Sequence, residues 1–312
     1  MAQPEKLKVI LAGGSGFLGQ SLAHSLIGGG YDVVVLGRKY KKNNNFAGRF
    51  VEWDAETLSD WVKELEGAGA LFNLTGRSVD CRYTKKNREL ILNSRIDSTR
   101  VLGEAIKDCE KPPKVWLNAS TATIYNDLRG DAHPHDERSK ADAPGFSEDV
   151  GRAWEEEFFK QGRAGVRQVA LRISIVLGEG GGAFPVMKRF TQFGLGGAQG
   201  PGSQWMSWLH VDDWVGITRF LMEKDSIEGP VNLAAPNPIT NAVFMKEMRN
   251  HFALLGIGFP TPTPLVYIGA FFMGTAPELV LKSRKVVSEV LDNMGYNFNH
   301  LKIRSALKRL SN

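Results

Sequence analysis

The residues Gly13-Gly14-Ser15-Gly16-Phe17-Leu18-Gly19 (GGSGFLG) directly follow an apolar run at residues 7–12, LKVILA. An apolar run of this length that ends in glycines is typical of a parallel strand buried on both faces of a sheet. A helical pattern begins at Phe17, continues to residue 26, and is closed by three glycines at residues 28–30. The stretch therefore predicts a strand, a tight glycine turn and a helix.

The three spaced glycines of this turn each have a physical use. Gly13 permits the tight turn, Gly16 lets the backbone approach a pyrophosphate, and Gly19 lets the helix pack close to the sheet. The helix N-terminus offers unpaired N–H groups and the positive end of its dipole to phosphates. Glycines also serve ordinary turns, but between a buried strand and a helix they indicate a dinucleotide site. We predict that the cofactor is contacted by Gly13, Gly14, Ser15, Gly16, Phe17, Leu18 and Gly19.

The first part of the chain alternates between apolar runs and helical patterns, which predicts βαβ units and a parallel sheet. Strands are predicted at residues 7–12, 32–36, 49–52, 70–74, 115–119 and 168–173, and helices at residues 17–26, 57–66, 85–109 and 147–160. With right-handed crossovers, these units make a doubly wound sheet. The predicted fold class is therefore α/β, with a Rossmann sheet.

The regular alternation ends near Gly178. Helices are predicted at residues 241–255, 285–293 and 301–310, and the apolar stretch at residues 264–274, PLVYIGAFFMG, is interpreted as a buried helix. That stretch is shorter than the roughly 20 residues that a membrane helix needs. We therefore predict a Rossmann domain at residues 1–178, with later segments returning to the sheet, and a smaller, mainly helical C-terminal domain at residues 179–312.

The end of the second predicted strand distinguishes between cofactors. NAD-binding domains usually carry an acidic residue there, which hydrogen-bonds to the ribose 2′-OH. This chain instead has Arg38 and Lys39, and an arginine can pair with a 2′-phosphate and stack on adenine. The pattern favours NADP(H) over NAD(H), although a solvated basic pair is the alternative. Asp54 is predicted to accept a hydrogen bond from the adenine amino group, with a surface acid or helix N-cap as the alternative.

Composition limits the partners of the chain. The net charge of +5 comes from scattered basic residues, with no aromatic-interleaved basic patch, so we predict no nucleic-acid binding. The two cysteines, Cys81 and Cys109, do not form a disulfide framework or a zinc pattern. We predict two reduced thiols in a cytoplasmic protein, with no metal site and no membrane partner.

Several further motifs accompany the glycine turn. They are NLTG at residues 73–76, ASTATIY at 119–125, LRISIVLG at 171–178, SWLHVDD at 207–213 and NLAAPNPITN at 232–241. In this order they resemble the extended short-chain dehydrogenase/reductase superfamily. Within it the chain looks like the atypical, sugar-nucleotide-epimerase-like subgroup, also described as NAD-dependent epimerases/dehydratases with a C-terminal helical domain. The resemblance runs nearly from end to end.

The resemblance implies roles for individual residues. Leu74, Thr75 and Gly76 are expected to line the ribose path, Ser120 to lie beside the nicotinamide, and Leu177 to flank its carboxamide. It also implies a small-molecule substrate, with a nucleotide sugar as one class, that enters at the carboxyl ends of the strands. By resemblance alone, a homodimer would form through the helices that follow the fourth and fifth strands.

One part of the resemblance fails. The superfamily uses a Tyr-x-x-x-Lys pair, in which the lysine holds the ribose and lowers the tyrosine pKa. Those two positions are Ser147 and Gly151 here, and neither side chain can do that work. Thr121 matches the catalytic Ser/Thr position, and Tyr125 is a phenol expected near the cleft, so these two are the predicted catalytic residues.

Basic side chains after the fourth strand offer other site groups. Arg82, Tyr83, Lys85 and Lys86 are candidates for binding an acidic substrate, and Arg95 lies on the next helix. A solvated or structural role is the alternative for each. The sequence thus supports an NADP(H)-dependent, epimerase-like oxidoreductase. A protein that binds the dinucleotide without turnover, as a sensor or scaffold, is the alternative.

Overall fold

A computed structural model of the chain describes residues 6–38 and 46–311, so the predicted cofactor residue Lys39 lies outside the described residues. The strands are β1 Lys8–Ala12, β2 Asp32–Gly37, β3 Arg49–Glu52, β4 Ala70–Asn73, β5 Val115–Thr121, β6 Arg167–Ile173, β7 Ile175–Leu177, β8 Trp205–Met206, β9 Trp208–His210, β10 Gly229–Leu233 and β11 Ile239–Thr240. The α-helices are α1 Phe17–Gly28, α2 Lys85–Asp108, α3 Phe146–Lys160, α4 Phe184–Gln192, α5 Val211–Glu223, α6 Asn241–Phe252, α7 Thr263–Met273, α8 Glu278–Leu281, α9 Glu289–Asn293 and α10 Ile303–Arg309.

Seven strands form one parallel sheet in the order β10-β6-β5-β4-β1-β2-β3. The strand order reverses direction beside β1, which places the glycine turn at the carboxyl edge where doubly wound sheets bind ligands. This architecture confirms the predicted α/β Rossmann class. Strand β10 comes from the second half of the chain and pairs with β6 from Gly229↔Val169 to Leu233↔Ile173.

Both faces of the sheet are buried, which explains why its strands read as continuous apolar runs. Along β1, Val9 and Leu11 face helices α1 and α5, whereas Ile10 and Ala12 belong to the cluster under α2 and α3. Each strand therefore contributes alternate side chains to two hydrophobic cores. The sheet is held between the two helical layers by this double burial.

A third hydrophobic cluster supports the region beyond the sheet. It joins β7, β8 and β9 to α4, α6 and α10 through Phe184, Trp208, Phe244 and Leu307, which are fully buried. Trp208 and Trp214 follow the glycines at residues 196–202, and both are fully buried packing residues. The Trp208 Nε1 donates to the Asn237 carbonyl at 3.0 Å, and the Trp214 Nε1 donates to the Leu18 carbonyl at 3.1 Å.

The apolar stretch at residues 264–274 does form a helix, α7, but the prediction that this helix is buried is wrong. Only Val266 and Ala270 are buried, and Phe272 is 81% exposed. Arg82 holds the helix near the sheet, since its guanidinium donates to the Phe271 carbonyl at 2.7 Å and lies over the Phe271 ring. Helix α7 therefore presents an apolar face to solvent beside the carboxyl edge of the sheet.

Two other predicted helices are shorter than expected. The helix at residues 57–66 is only a 3-10 turn, Asp60–Glu64, because Asp54 accepts hydrogen bonds from the N–H groups of residues 56 and 57 and closes a preceding turn. The helix at residues 285–293 is only Glu289–Asn293. Val286 forms an isolated bridge with His135, which keeps the preceding segment extended.

Candidate active site

The glycine turn has the geometry that each glycine requires. Gly13 has φ +70°, and a Cβ atom on it would lie 2.8 Å from the backbone of Thr75. A Cβ atom on Gly19 would lie 2.5 Å from Gly14, so the helix could not approach the turn with any larger residue. Gly16 differs, because its Cβ would have the Gly13 carbonyl oxygen, 4.0 Å away, as its nearest neighbour among the described residues. The space beside Gly16 is therefore open.

The start of helix α1 is polarised toward this open space. Gly16 is its N-cap and offers no side-chain hydrogen bond, and the first turn of the helix contains no acidic residue. The partial positive charge of the helix N-terminus is thus not neutralised by a cap. Ser15 and Gly16 are exposed, and Leu18 is half-buried. A phosphate group is the type of ligand that this arrangement suits.

A second glycine-rich segment covers the first residue of α1. Cβ atoms on Gly178, Gly180 and Gly181 would lie 2.5 to 2.8 Å from the Phe17 side chain. Leu177, just before this segment, is fully buried and pairs with His210 between β7 and β9. The segment forms a wall beside the glycine turn, which brings Phe17 and Leu177 to the same part of the site.

The end of β2 carries the residue predicted to select the cofactor. Arg38 is exposed, and it has no hydrogen bond or ion pair with any other described residue. Asp54 is also exposed, but its carboxylate accepts bonds from the N–H groups of Glu56 and Thr57 and from the Thr57 hydroxyl. These bonds hold the pKa of Asp54 below its ordinary value. Asp54 is thus an exposed acid whose two carboxylate oxygens accept hydrogen bonds within its own turn. Its contact with the adenine amino group stays a prediction.

The segment after β4 contributes a buried polar atom without a partner. Asn73 is buried and donates to the Thr99 and Asn118 side chains, while its own oxygen accepts from the Thr75 N–H at 3.1 Å. These bonds fix the turn that carries Leu74, Thr75 and Gly76. The Thr75 hydroxyl is buried and has no hydrogen-bond partner among the described residues. Such a group requires a ligand or water to avoid a desolvation cost.

The end of β5 brings two predicted residues to the site. Ser120 is buried and donates to Glu155 at 2.5 Å, and Glu155 in turn forms an ion pair with Arg172 at 2.7 Å. Thr121 is half-buried, and its oxygen accepts from the Thr123 N–H at 3.1 Å. The Thr121 hydroxyl thus keeps its own proton available for donation.

Tyr125 does not lie at the cleft. Its side chain is fully buried, and its hydroxyl donates to Asn232 at 2.9 Å and accepts from Arg172 at 2.7 Å. Its ring stacks on His135, and burial raises the pKa of the phenol. A substrate cannot reach this oxygen without disrupting the core. The geometry therefore argues against the predicted catalytic role of Tyr125.

The two positions of the missing Tyr-x-x-x-Lys pair lie one turn apart on α3. The Ser147 hydroxyl donates to the Glu278 carboxylate. A Cβ atom on Gly151 would lie 2.5 Å from Ile124 and 2.8 Å from the Thr121 methyl group. A lysine at residue 151 would therefore not fit the present packing of α3 against Thr121.

A cavity of about 570 Å³ opens between the segment after β4 and the helices α7 and α8. Its lining includes Arg82, Tyr83, Arg88, Tyr267, Phe271 and Glu278. Sequence reasoning found the first two of these residues, but it missed Glu278 and the aromatic residues of α7. The aromatic residues come from the stretch that was interpreted as a buried helix, and no role was predicted for the segment that contains Glu278.

Two basic residues near this cavity are already neutralised. Lys282 and Arg284 lie 2.6 and 2.7 Å from the carboxylate of buried Glu148, and Arg284 also pairs with Asp127. Glu148 and Asp127 were missed by sequence reasoning. These ion pairs tie α3 to the C-terminal segment.

His210 belongs to a structural cluster at the start of α5. Its Nδ1 accepts from the Asp212 N–H at 3.0 Å, and its ring lies 4.0 Å from the His300 ring. Among the described residues, His210, Asp212 and His300 place potential ligand atoms within 4.8 Å of one another. Helix capping and the Arg309–Asp212 ion pair already use these atoms. We assign the cluster to packing, and the absence of a metal site stays a prediction.

Comparisons with known proteins agree with this geometry. The model of the NAD dependent epimerase/dehydratase family matches residues 9–234, so the chain belongs to that family. A domain of unknown function, DUF1731, matches residues 261–310, which contain α7 to α10.

Individual relatives span the same length. The epimerase family protein YfhF of Bacillus subtilis is 30% identical, over 97% of this chain and 98% of its own. The crystal structure of human epimerase family protein SDR39U1 with NADPH has a TM-score of 0.84 and 28% identity, and the match covers 98% of this chain and 99% of the human one. A nucleoside-diphosphate sugar epimerase from Corynebacterium glutamicum has a TM-score of 0.78 and 28% identity, over 98% of this chain and 58% of that chain.

The described part of the chain contains no helix that is both long enough and apolar enough to cross a membrane.

Proposed function

We propose that this protein is an NADP(H)-dependent oxidoreductase that acts on a small molecule at a carbon bearing oxygen. The observation that carries the proposal is the open space beside Gly16, at the uncapped start of α1. Membership of an NAD-dependent epimerase/dehydratase family supports it. When bound, the nicotinamide would supply hydride chemistry.

The residues of the site suit a dinucleotide. Backbone N–H groups of the turn from Gly13 to Gly19 would hold the pyrophosphate, because no side chain occupies the space beside them. The unpartnered Thr75 hydroxyl would bond to a ribose hydroxyl. The remaining predicted contacts are Leu74, Gly76, Ser120, Leu177 and Asp54.

Arg38 and Lys39 make the phosphorylated cofactor the preferred one. The exposed Arg38 guanidinium has no partner among the described residues and would form charge-assisted hydrogen bonds with a 2′-phosphate. The human relative, whose crystal structure contains NADPH, supports the same choice.

The substrate class that we propose is a nucleotide sugar. The nucleoside-diphosphate sugar epimerase among the similar structures supports this class. Arg82 and Arg88 line the cavity near the carboxyl edge of the sheet and would attract an anionic group. The Thr121 hydroxyl, whose proton the bond to Thr123 leaves free, would donate a hydrogen bond to the reacting oxygen of the substrate.

Titration of the purified protein with NADPH and NADH, followed by fluorescence, tests the cofactor assignment. We expect NADPH to bind at least tenfold more tightly, which is about 1.4 kcal/mol. Arg38→Asp should abolish this preference, because it replaces the phosphate partner with a like charge. Arg304→Asp, an equal charge change on exposed α10, is the matched control and should leave both affinities unchanged. An unchanged NADPH preference in Arg38→Asp would show that the assignment is wrong.

A second candidate is a dinucleotide-binding sensor or scaffold without turnover. The close packing of Gly151 against Thr121 favours it, because that packing leaves no room for the usual lysine. NADPH binding without turnover of any nucleotide sugar, together with a protein complex whose affinity changes with NADPH, would favour this function. Robust turnover would exclude it.

Our proposal includes a cytoplasmic location, with which the free thiols of Cys81 and Cys109 agree. A homodimer through α2 and α3 stays a prediction from the family resemblance, and sedimentation of the purified protein would test it.

A further inference from the structure

Helix α3 lacks the proton-transfer tyrosine of the superfamily, because Ser147 occupies that position. Ser147 and Gly151 lie one turn apart on the same face of the helix, and Gly151 packs directly against Thr121 at the end of β5. The face that carries Ser147 is therefore turned toward the predicted substrate-binding end of the sheet. A serine hydroxyl there is too weak an acid to act as the phenol of the superfamily.

A phenol from another part of the chain reaches this face. The Tyr83 ring packs edge to face on Phe146, with ring centroids 5.0 Å apart, and its hydroxyl lies beside Ser147. The Tyr83 oxygen is buried, yet no described residue provides it with a hydrogen bond of good geometry. Tyr83 also lines the 570 Å³ cavity. An unpaired buried hydroxyl beside a cavity indicates a group that a ligand would satisfy.

A cation without a carboxylate partner acts electrostatically on this phenol. The Arg95 guanidinium donates to the carbonyls of Arg77 and Ile91 at 3.1 and 2.9 Å, and it lies over the Trp154 ring at 5.0 Å. No carboxylate lies within ion-pair distance of it in the described residues. Burial lowers the pKa of Arg95, but a guanidinium stays protonated in a folded protein, so its charge is present where Tyr83 ionises.

Arg95 also touches the predicted ribose segment. A Cβ atom on Gly76 would lie 3.1 Å from the Arg95 Cζ. The guanidinium therefore lies against the turn after β4, which is expected to line the ribose, and its charge also acts on the Tyr83 phenol. A lysine on α3 would have bridged the same two features in other members of the superfamily.

We propose that Tyr83 is the proton-transfer residue of this site and that Arg95 is its positioning residue; this inference rests on the proposed function. In the oxidation direction, the substrate O–H bond breaks and its proton moves to the Tyr83 phenolate oxygen. The C–H electron pair leaves as hydride to an oxidised nicotinamide dinucleotide, which is the oxidant, and a carbonyl forms. The reverse direction returns the proton from Tyr83 to the oxygen.

Two groups favour the Tyr83 phenolate, first the Ser147 hydroxyl and then the Arg95 charge, and Arg95 is the only cation of the two. Burial raises the pKa of Tyr83, and the nearby Glu278 and Cys81 raise it further. Ser147 and the Arg95 charge lower it. Removal of the Arg95 charge should therefore raise the pKa of Tyr83, whereas a lysine at residue 95 should partly preserve it.

The first test follows ionisation of Tyr83 by NMR of protein whose tyrosines are isotope-labelled at Cζ. Tyr83→Phe assigns the signal, and Tyr267→Phe, on the rim of the same cavity, is the control that leaves it in place. We expect Arg95→Gln to raise the Tyr83 midpoint by about one pH unit, a tenfold change in its ionisation constant, and Arg95→Lys to restore most of the shift. An equal midpoint in Arg95→Gln and the wild type would overturn the role of Arg95.

The second test compares the same signal in the presence of saturating NADP⁺ and saturating NADPH. The oxidised ring carries a positive charge and the reduced ring does not, so a phenol at the reacting centre should have a lower midpoint with NADP⁺. A phenol with a purely structural role would have the same midpoint with both, and that result would overturn the inference. A wild-type protein that binds neither dinucleotide would instead overturn the proposed function, and the inference with it.

Discussion

A single buried histidine, His210, holds the start of helix α5. Its side chain is 1% exposed, and its Nδ1 accepts from the Asp212 N–H at 3.0 Å as the helix cap. Burial, together with the charge of the neighbouring His300, lowers the pKa of His210 to about 4. The folded protein therefore requires the neutral imidazole, whereas the unfolded chain has an ordinary histidine with a pKa of about 6.5.

This depressed pKa predicts a loss of stability in acid. The unfolded chain binds the extra proton first, so the contribution of His210 is intact above pH 6.5 and falls as the pH drops toward 4. We expect the free energy of unfolding to decrease by about 2 kcal/mol at pH 5 for this group, measured by urea denaturation at pH 7 and pH 5. His210→Asn keeps an N-cap acceptor and should lose less stability over the same interval. An identical pH dependence in the variant would contradict this account.

The residues whose role is local could be predicted from the sequence. The glycine turn is one example, because the positive φ of Gly13 and the approach of Gly19 to Gly14 both belong to this one short segment. The position of Tyr125 could not, because its burial depends on Arg172 and Asn232, which are 47 and 107 residues away in the chain. A tyrosine that follows a strand can lie in a core or in a cleft, and the sequence around it does not distinguish the two locations.

At the scale of an element, the packing of α3 against the end of β5 depends on one glycine. A Cβ atom on Gly151 would lie 2.5 Å from Ile124. We expect Gly151→Ala to destabilise the protein by about 1–3 kcal/mol through overpacking, although alanine is the better helix former. Gly269→Ala in α7 is the matched control, because no described atom lies within 4 Å of its Cβ position. This variant should gain about 0.5–1 kcal/mol from helix propensity.

Urea denaturation of the two variants measures both effects in the same way. Opposite signs of the change in unfolding free energy would agree with the packing at Gly151. A Gly151→Ala protein as stable as the wild type would mean that α3 is free to move away from Thr121. Room for a larger side chain at that position would then remove the main structural argument for a non-catalytic function.

The sequence predicted the positions of the helices more reliably than it predicted which of their faces are buried. The apolar pattern of α7 identifies a helix, but its hydropathy cannot say which face another element covers. In the fold only Val266 and Ala270 are covered, and the Arg82 contact to Phe271 fixes the helix beside the cavity. The helix Glu289–Asn293 is shorter than the predicted range for a different reason. Pairing of Val286 with His135 overrides the helical preference of the neighbouring residues.

At the scale of the whole molecule, the parallel arrangement of the first six strands could be predicted, because it follows from the βαβ rule applied to neighbouring segments. The cavity could not, because Tyr83, Ser147 and Glu278 come from three separate parts of the chain. Their meeting depends on how the segment at residues 261–310 returns to the carboxyl edge of the sheet. Long-range contacts of this kind leave no local pattern in the sequence.

The pairing of β10 with β6 also determines which fragments of the chain can fold on their own. Strand β10 completes the edge of the sheet beside β6, and α5 covers one face with Trp214, Ile217 and Leu221, which are fully buried. A chain that ends at residue 178 would expose that face, at about 1.5–3 kcal/mol for each large apolar side chain. We therefore expect this fragment to melt without a cooperative transition in circular dichroism. A chain ended at residue 240 keeps α5 and β10, and it should melt cooperatively below the full-length midpoint. A cooperative melt of the shorter fragment would instead mean that residues 1–178 fold independently of the strand and helix that complete their sheet.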